Sequence, residues 1–269
     1  MAYWQVTSDL NLYYDVTDFA PPWESHETIL LLHGNAESSE AWYGWMPALT
    51  AKYRVIRPDM RGFGRSTPMK RDYPWSLDRI VDDFVQLMDH LGIEKFHLVG
   101  AKVGGTMAMH LAARYPERVT HLCVLSSPTR GESAGDRYRG WVTVIEESGV
   151  IGWAQQTMAK RLGRDFPAAG IQWWIDLMGR TASSTQLGFI GAVPTVDLSE
   201  DLKKITCPTL VITTQDNPLY SVSMVRSWQE NIAQSQLLVL PGDSYHVAAT
   251  APHACAQAVL AFIEPPPSL

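Results

Sequence analysis

The feature that most constrains the fold is a stretch from Leu98 to Met109, where an apolar run passes through a glycine-bracketed turn into a helix of small residues. Gly100 and Gly104 flank the turn, and Lys102 stands between them. Glycines at such positions let neighbouring backbone pass close to the turn. A turn of the form G-x-S-x-G lifts its central side chain above a parallel sheet. The spacing therefore predicts that Lys102, which stands where that pattern has serine, is raised at the edge of such a sheet.

Short apolar runs alternate with helical patterns along most of the chain. A continuous apolar run of this length is typical of a strand that is buried on both faces. Strands that alternate with helices predict an α/β fold, with a mostly parallel sheet and helices on both of its faces. Alternating residues near the beginning of the chain predict an antiparallel pair at the sheet edge. The predicted strands lie at 3–16 (the antiparallel pair), 28–32, 54–57, 96–99, 119–125, 209–213 and 237–240.

The pattern changes between residues 130 and 197, where helical segments follow one another with no strand between them. We expect this insertion to form a helical lid over the strand ends, with an α/β core made of residues 1–129 and 198–269. The lid tryptophans are first of all the core of the lid, and some of them are expected to face the pocket. The expected pocket residues are Gly34, Trp141, Trp153 and Trp174.

The bulk composition excludes several classes of function. A chain of 269 residues with 46% hydrophobic residues and a net charge of −6 is typical of a globular protein, and its acidic balance gives no indication of nucleic acid or an anionic membrane surface as a partner. No apolar stretch is long enough to span a bilayer, and the N-terminus lacks the pattern of a secretory signal. We therefore expect a cytoplasmic protein that acts on a small molecule.

The cysteines and histidines give no indication of a metal or an organic cofactor. Cys123, Cys207 and Cys255 are scattered and odd in number, so their spacing fits neither a disulfide framework nor a zinc site. No phosphate-binding fingerprint of the form G-x-G-x-x-G is present at the turn around Lys102. We expect neither a metal nor an organic cofactor, and the sequence leaves the oligomeric state open.

Five polar side chains follow predicted strands at their carboxyl ends: His33, Asp59, Lys102, Asp216 and His246. In open α/β sheets, binding sites form outside the carboxyl ends of the strands. Residues far apart in the sequence are thus expected to meet at one edge of the sheet.

Five motifs stand in a recognisable order along the chain. The motifs are His33-Gly34-Asn35, the glycine-rich turn Asp59–Ser66, the turn Gly100–Gly104, the strand Pro208–Ile212 leading to Asp216, and Pro241-Gly242 leading to His246.

With these motifs the chain resembles an α/β-hydrolase over nearly its whole length, and is most similar to the enol-lactonase, C–C hydrolase and esterase branch. The resemblance implies that His246 is the catalytic base and Asp216 its acid partner. It also implies that the backbone N–H groups of Asn35 and Val103 form an oxyanion hole. Asp243 is a rival for the acid, but it lies only three residues before His246 and is more typical of a turn.

Lys102 is the one clear departure from the family pattern, and it changes the chemistry. Acylation of an amine gives an amide, which is hydrolysed far more slowly than the ester formed on serine. The leading interpretation is hydrolysis of a small to medium apolar ester or lactone, in which His246 and Asp216 activate water. Lys102 would then stabilise the oxyanion or protonate the leaving group.

Three alternatives remain open at this point. A buried, partly neutral Lys102 can form a Schiff base or act in acid/base C–C chemistry on a carbonyl compound, such as cleavage, decarboxylation or an aldol-type step. The chain can also be a lidded ligand-binding protein without catalysis, or Lys102 can be an engineered replacement of serine. Because lysine is longer than serine, its side chain is expected to fold towards a carboxylate, with Asp59 and Asp216 as candidates.

Overall fold

A computed structural model of the protein describes residues 2–21, 23–131, 135–192 and 195–264, and the side chains of 135–138 are not described. Eight strands form one sheet in the order β1-β2-β4-β3-β5-β6-β7-β8. The pairs β1–β2 and β2–β4 are antiparallel, and all other pairs are parallel. The strands are β1 Ala2–Thr7, β2 Leu10–Thr17, β3 Thr28–Leu32, β4 Arg54–Pro58, β5 Phe96–Ala101, β6 Val119–Leu125, β7 Thr209–Thr214 and β8 Ser235–Leu240.

Ten α-helices lie in the described residues. They are α1 Met46–Leu49, α2 Leu77–His90, α3 Val103–Arg114, α4 Gly135–Leu162, α5 Ala168–Gly179, α6 Ser183–Ala192, α7 Ser199–Leu202, α8 Val222–Gln229, α9 Val247–Thr250 and α10 Pro252–Ile263. The sequence predicts one helix from 42 to 49, but the chain forms a short 3₁₀ helix at Ser39–Trp42 and then α1. The break precedes Pro47, which has no N–H to continue an earlier helix and stands instead in the first turn of α1.

The sheet is covered on both faces because its central strands alternate between two cores. In β3, Leu30 and Leu32 pack in one cluster with residues of α2 and α3. Ile29 and Leu31 point to the other face and pack with residues of α10. Both faces of β3 are therefore buried, and this α/β arrangement confirms the predicted fold class.

Four helices, α4 to α7, lie between β6 and β7, and the described residues among them form no strand of the sheet. The first three, α4 to α6, make up the inserted helical segment. Gly149 adopts a φ of 69° and kinks α4 at that point. An isolated antiparallel bridge between Arg130 and Asp197 joins the two ends of this helical segment. The lid boundaries at 130 and 197 remain a prediction, with residues 132–134 and 193–194 outside the described ranges. Within those ranges, every helix is too short or too polar to cross a bilayer.

Candidate active site

The turn between β5 and α3 holds Lys102 in a conformation that few side-chain-bearing residues adopt, with φ 56° and ψ −125°. Its backbone N–H donates to the carbonyl of Leu125 at 2.9 Å, which ties the turn to β6. A Cβ on Gly104 would lie 2.2 Å from the carbonyl oxygen of Leu32, so only glycine allows the helix to begin so close to β3. The local sequence thus imposes the strained turn that presents Lys102.

The side chain of Lys102 is buried and folds towards Glu37 in the loop after β3. Lys102 Nζ donates a short hydrogen bond to Glu37 Oε1, and the two side chains are 3% and 1% exposed. The other carboxylate oxygen, Oε2, accepts the backbone N–H of Gly34 at 2.9 Å. The lysine therefore contacts a carboxylate, as expected from its length, but this carboxylate is neither Asp59 nor Asp216.

His246 lies on the opposite side of the same carboxylate. Its Nε2 is 3.0 Å from Glu37 Oε1, although the ring is not oriented for a hydrogen bond. The ring packs against Trp174, with the centroids 4.7 Å apart. Lys102, Glu37 and His246 thus form a buried cluster in which one carboxylate oxygen faces both the Lys102 amine and the His246 imidazole.

Burial and mutual charge set the protonation states of this cluster. Burial lowers the pKa of Lys102 to about 8, because it outweighs the attraction of Glu37, and the charge of Arg161 lowers the pKa further. Burial also lowers the pKa of His246 to about 4, with repulsion from Lys102 adding to it against the attraction of Glu37. At neutral pH the lysine is mostly an ammonium ion and the imidazole is neutral.

Glu37 remains ionised although it is buried. Burial alone would raise the pKa of its carboxyl group, but Lys102 and His246 together hold that pKa well below the usual value. The carboxylate therefore anchors the ammonium ion and lies within ion-pair distance of the imidazole, as a buried charge requires partners on its oxygens.

Asp216 stands apart from this cluster. Its side chain is exposed two residues after β7, and its backbone N–H donates to the carbonyl of Gly242 at 3.0 Å. Among the described residues, the carboxylate within ion-pair distance of His246 is that of Glu37. The inward position of this loop is taken by the next residue, Asn217, whose Oδ1 accepts the N–H groups of Leu219 and Tyr220. The pairing of His246 with Asp216 that the resemblance implies is not made in this structure.

Other polar residues at the sheet edge organise the loops. Asp59 accepts the backbone N–H groups of Ser39 and Arg65 at 2.6 and 2.8 Å. His33 Nε2 accepts the N–H of Met60 at 3.0 Å. Asp243 accepts the N–H of Arg164 in the turn before His246. These contacts hold the loops around the Lys102 cluster in place.

A cavity of about 70 Å³ opens next to Lys102. Its wall brings together Lys102 with the two residues expected to supply the oxyanion hole, and adds side chains of the helical segment and of the loops after β7 and β8. The lining residues are Asn35, Lys102, Val103, Pro128, Trp141, Arg161, Phe189, Leu219, Tyr220 and Tyr245.

The expected pocket residues occupy different positions around this cavity. Trp141 lines it, Trp174 contacts His246, and Trp153 packs against Trp141 and lies under the guanidinium of Arg161. A Cβ on Gly34 would lie 2.8 Å from Lys102 Cε, so this glycine makes room for the lysine side chain.

Sequence reasoning missed Glu37. The residue lies in an ordinary polar stretch, Asn35-Ala36-Glu37-Ser38-Ser39, and no spacing rule marks it. The sequence indicates Glu37 only indirectly, since a buried lysine side chain at the turn requires a carboxylate within its reach. Glu37 is only three residues after Gly34, whose motif was already assigned to this edge.

Comparisons with known proteins agree with this architecture. The family model described as "alpha/beta hydrolase fold" matches residues 27–148. A putative carbamate hydrolase, RutD, of Caulobacter sp. (strain K31) is 29% identical over 94% of this chain and 95% of its own length. A 2-hydroxymuconate semialdehyde hydrolase of Pseudomonas sp. (strain CF600) is 41% identical over 102 residues, which are 37% of this chain and 36% of that protein.

A solved structure gives the same result for the fold. The crystal structure of the enol-lactonase from Burkholderia xenovorans LB400 superposes with a TM-score of 0.88 over 97% of this chain and 99% of that one, at 20% sequence identity. The sheet order, the turn at Lys102 and these comparisons lead to one conclusion: the protein has the α/β-hydrolase fold.

Proposed function

We propose that the protein hydrolyses a carboxylic ester or lactone of small to medium size and mainly apolar character, by direct attack of water on the carbonyl. The observation that carries the proposal is the buried cluster in which an ammonium ion and a neutral imidazole flank one carboxylate beside a cavity. An acid and a base in fixed positions are what addition of water to a carbonyl requires.

In this mechanism His246 accepts a proton from water as the water oxygen bonds to the carbonyl carbon. The ammonium group of Lys102, with the backbone N–H groups of Asn35 and Val103, stabilises the negative charge that develops on the carbonyl oxygen. When the intermediate collapses, the leaving oxygen takes a proton from Lys102. Glu37 lies between the two groups, so the proton on His246 can return to Lys102 through it. No acyl-lysine forms, so a slow amide hydrolysis is avoided.

The names of the similar proteins support hydrolysis as the reaction class. One relative, aligned over 94% of this chain, is named a putative carbamate hydrolase, and one solved structure with the same fold is an enol-lactonase. Both names describe cleavage of a carbonyl compound by water. The ester or lactone specificity and the role of Lys102 belong to the proposal and rest on the cluster.

A second candidate is favoured by the burial of Lys102 at the cavity wall, which lowers the pKa of its amine to about 8. Near that pH a large share of the side chain is a neutral amine at the cavity wall, which can attack a ketone or aldehyde. The nitrogen bonds to the carbonyl carbon, water leaves, and a Schiff base results. This reaction needs the neutral amine, whereas hydrolysis as proposed needs the ammonium ion.

The pH dependence therefore separates the two candidates. Under the hydrolytic proposal kcat/KM is constant between about pH 4 and 8 and falls as the pH rises through 8, because Lys102 loses its proton. Under the Schiff-base alternative activity rises through pH 8. Measuring kcat/KM against pH, with a panel of esters and lactones and with ketones and aldehydes, shows whether activity falls or rises through pH 8.

Two variants and a trapping reaction complete the test. Lys102→Met and His246→Ala are each expected to lower kcat/KM for hydrolysis by about 10²- to 10³-fold. Borohydride added with carbonyl compounds leaves Lys102 unmodified in mass spectrometry if the hydrolytic mechanism holds. A stable adduct on Lys102, or full hydrolytic activity in His246→Ala, would contradict that mechanism.

A further inference from the structure

Neither ring nitrogen of His246 has a hydrogen-bond partner among the residues that the structure describes. In a Ser-His-Asp arrangement, the acid residue fixes the orientation of the imidazole through a hydrogen bond to one ring nitrogen. Here Asp216 is exposed and lies apart, and Glu37 lies close to Nε2 without the alignment of a hydrogen bond. The orientation of the imidazole must therefore be set by packing.

The packing comes from Trp174 in α5. Its side chain is fully buried, and its ring centroid lies 4.7 Å from that of His246, with an angle of 57° between the two planes. Closely packed side chains in a protein interior are held near one position, and an aromatic ring adds a large rigid surface. The Trp174 ring therefore limits rotation of the imidazole and excludes water from the side that it covers.

The backbone of His246 is attached to the same inserted helical segment. Its N–H lies 2.9 Å from Ser244 Oγ and 3.0 Å from the carbonyl oxygen of Arg161, in the last turn of α4. Ser244 Oγ also donates to this carbonyl at 3.0 Å. The last carbonyl groups of a helix have no partner within that helix. The loop that carries His246 thus supplies partners to the end of α4, so α4 and α5 both hold this residue.

Charged groups face the imidazole from the other elements of the site. Among the described residues they are the ammonium group of Lys102, the carboxylate of Glu37 and the guanidinium group of Arg161. Burial and the two positive charges lower the pKa of His246 to about 4, against the attraction of the carboxylate. Burial is the largest of these effects, and the ring of Trp174 contributes to it. Loss of that ring would let water reach the imidazole and raise its pKa.

We propose that Trp174 is the positioning residue of His246, so that the inserted helical segment assembles the catalytic base. With α5 packed on the core, the imidazole is held beside Glu37 and Lys102. With α5 displaced, the imidazole rotates freely and the base is lost. The inference rests on the proposed function for the role of His246. Trp174 is absent from the described residues that line the cavity beside Lys102, so it acts on the base and not on the substrate.

Kinetics of matched leucine variants test this role. Trp174→Leu is expected to lower kcat for ester or lactone hydrolysis by about 10- to 100-fold, because a small misplacement of a reacting group is costly, and to change KM by less than about twofold. Trp173→Leu makes the same change one residue earlier, where the ring packs between Tyr43 and Trp174, and should alter kcat by less than about twofold. Trp174→Phe keeps an aromatic face towards the imidazole and should restore most of kcat.

Titration of His246 gives a readout that needs no substrate. NMR of the imidazole C–H groups, with His246→Ala to identify the signal, is expected to show a midpoint of about 4 in the unaltered chain. In Trp174→Leu the midpoint should rise by at least about one pH unit, towards the usual value of about 6.5, because the imidazole is hydrated. It should stay near 4 in Trp173→Leu and Trp174→Phe. The acid limb of kcat/KM should move to higher pH together with the midpoint.

Two further variants cover the case in which Trp174→Leu does not fold. Trp174→Met fills more of the vacated space with a flexible side chain, and it should show the same rise of the midpoint. Ser244→Ala removes the hydroxyl group between the His246 N–H and α4, and is expected to lower kcat by about 3- to 10-fold. Circular dichroism checks that each variant is folded.

The outcomes separate this inference from the proposed function. A raised midpoint in Trp174→Leu without ester or lactone turnover by the unaltered chain would support the positioning role and overturn the hydrolysis. Turnover with kcat and the midpoint both unchanged in Trp174→Leu would overturn the positioning role alone. A raised KM with unchanged kcat, or equal effects of the two leucine variants, would likewise contradict that role.

Discussion

Two loops at the same edge of the sheet carry the carboxylates that compete for the role of acid. Glu37 lies in the loop after β3, and Asp216 lies in the loop after β7. Glu37 is 1% exposed and contacts Lys102, His246 and the N–H of Gly34. Asp216 faces solvent, and its loop directs Asn217 inward instead. The two carboxylates thus lie at the same edge of the sheet, but Glu37 is buried and Asp216 is exposed.

The difference arises from the backbone of the two loops. After β3 the chain turns at Gly34, with Glu37 N–H donating to the Gly34 carbonyl, and Ala36 adopts a φ of 57°. That turn folds the Glu37 side chain back beneath the raised lysine. After β7 the turn is fixed by the side chain of Asn217, so the residue before it points outward. A position after a strand places a residue at the edge, and the loop conformation decides whether it reaches the site.

The largest expected effect is the loss of activity on removing the Glu37 charge. Glu37→Gln is expected to lower kcat/KM for ester or lactone hydrolysis by about 10³-fold, because Lys102 and His246 lose the carboxylate that positions them. Asp216→Asn, the matched acid-to-amide change in the other loop, should alter it by less than about twofold. Steady-state kinetics of both variants measure the two losses. A larger loss in Asp216→Asn than in Glu37→Gln would show that Asp216 is the acid partner of His246.

The next effect is on stability. Lys102→Met leaves Glu37 buried without its strongest partner and is expected to lower the free energy of unfolding by about 3 kcal/mol. Adding Glu37→Gln to that variant should recover about 2 kcal/mol, since the amide oxygen can still accept the Gly34 N–H without a buried charge. Urea denaturation of the two single variants and the double variant measures the coupling. Strictly additive changes would show that the ion pair is not formed.

A smaller effect is expected on the titration of Lys102 itself. The amine becomes reactive as the pH rises through its pKa of about 8. Because the charge of Glu37 raises this pKa, Glu37→Gln should move the midpoint to lower pH, whereas Asp216→Asn should leave it in place. Competitive labelling with acetic anhydride, followed by mass spectrometry of the Lys102 peptide, gives both midpoints. A midpoint that moves only in Asp216→Asn would contradict the cluster.

The smallest effect concerns the anchor of the β7 loop. Asn217→Ala removes the acceptor for the N–H groups of Leu219 and Tyr220 and is expected to cost about 1 to 2 kcal/mol of stability. The exposed neighbour, changed as Asp216→Ala, should give no measurable difference in denaturation. Equal losses for the two substitutions would show that both side chains anchor the loop.

Much of the fold follows from patterns that act locally. The strands predicted at 28–32 and 119–125 have the observed bounds. The first is buried on both faces of the sheet, as its apolar run predicts, and the second is buried along its last four residues. Ser76 precedes the periodic apolar residues of α2 and caps that helix, with its side chain accepting the N–H of Arg79. The lid boundaries stay a prediction, since residues on both sides of the helical segment lie outside the described ranges.

In the site, too, some features arise from neighbouring residues in the sequence and others from contacts between distant parts of the chain. The sequence by itself determined the strained turn and the lysine on it, since the glycines at 100 and 104 and the following small residues act over a few positions of chain. It also placed His246 at the correct edge. The identity of the carboxylate was decided only by the tertiary structure. A buried ammonium ion takes the carboxylate that the folded loops bring within reach, and 65 residues of chain separate Lys102 from Glu37.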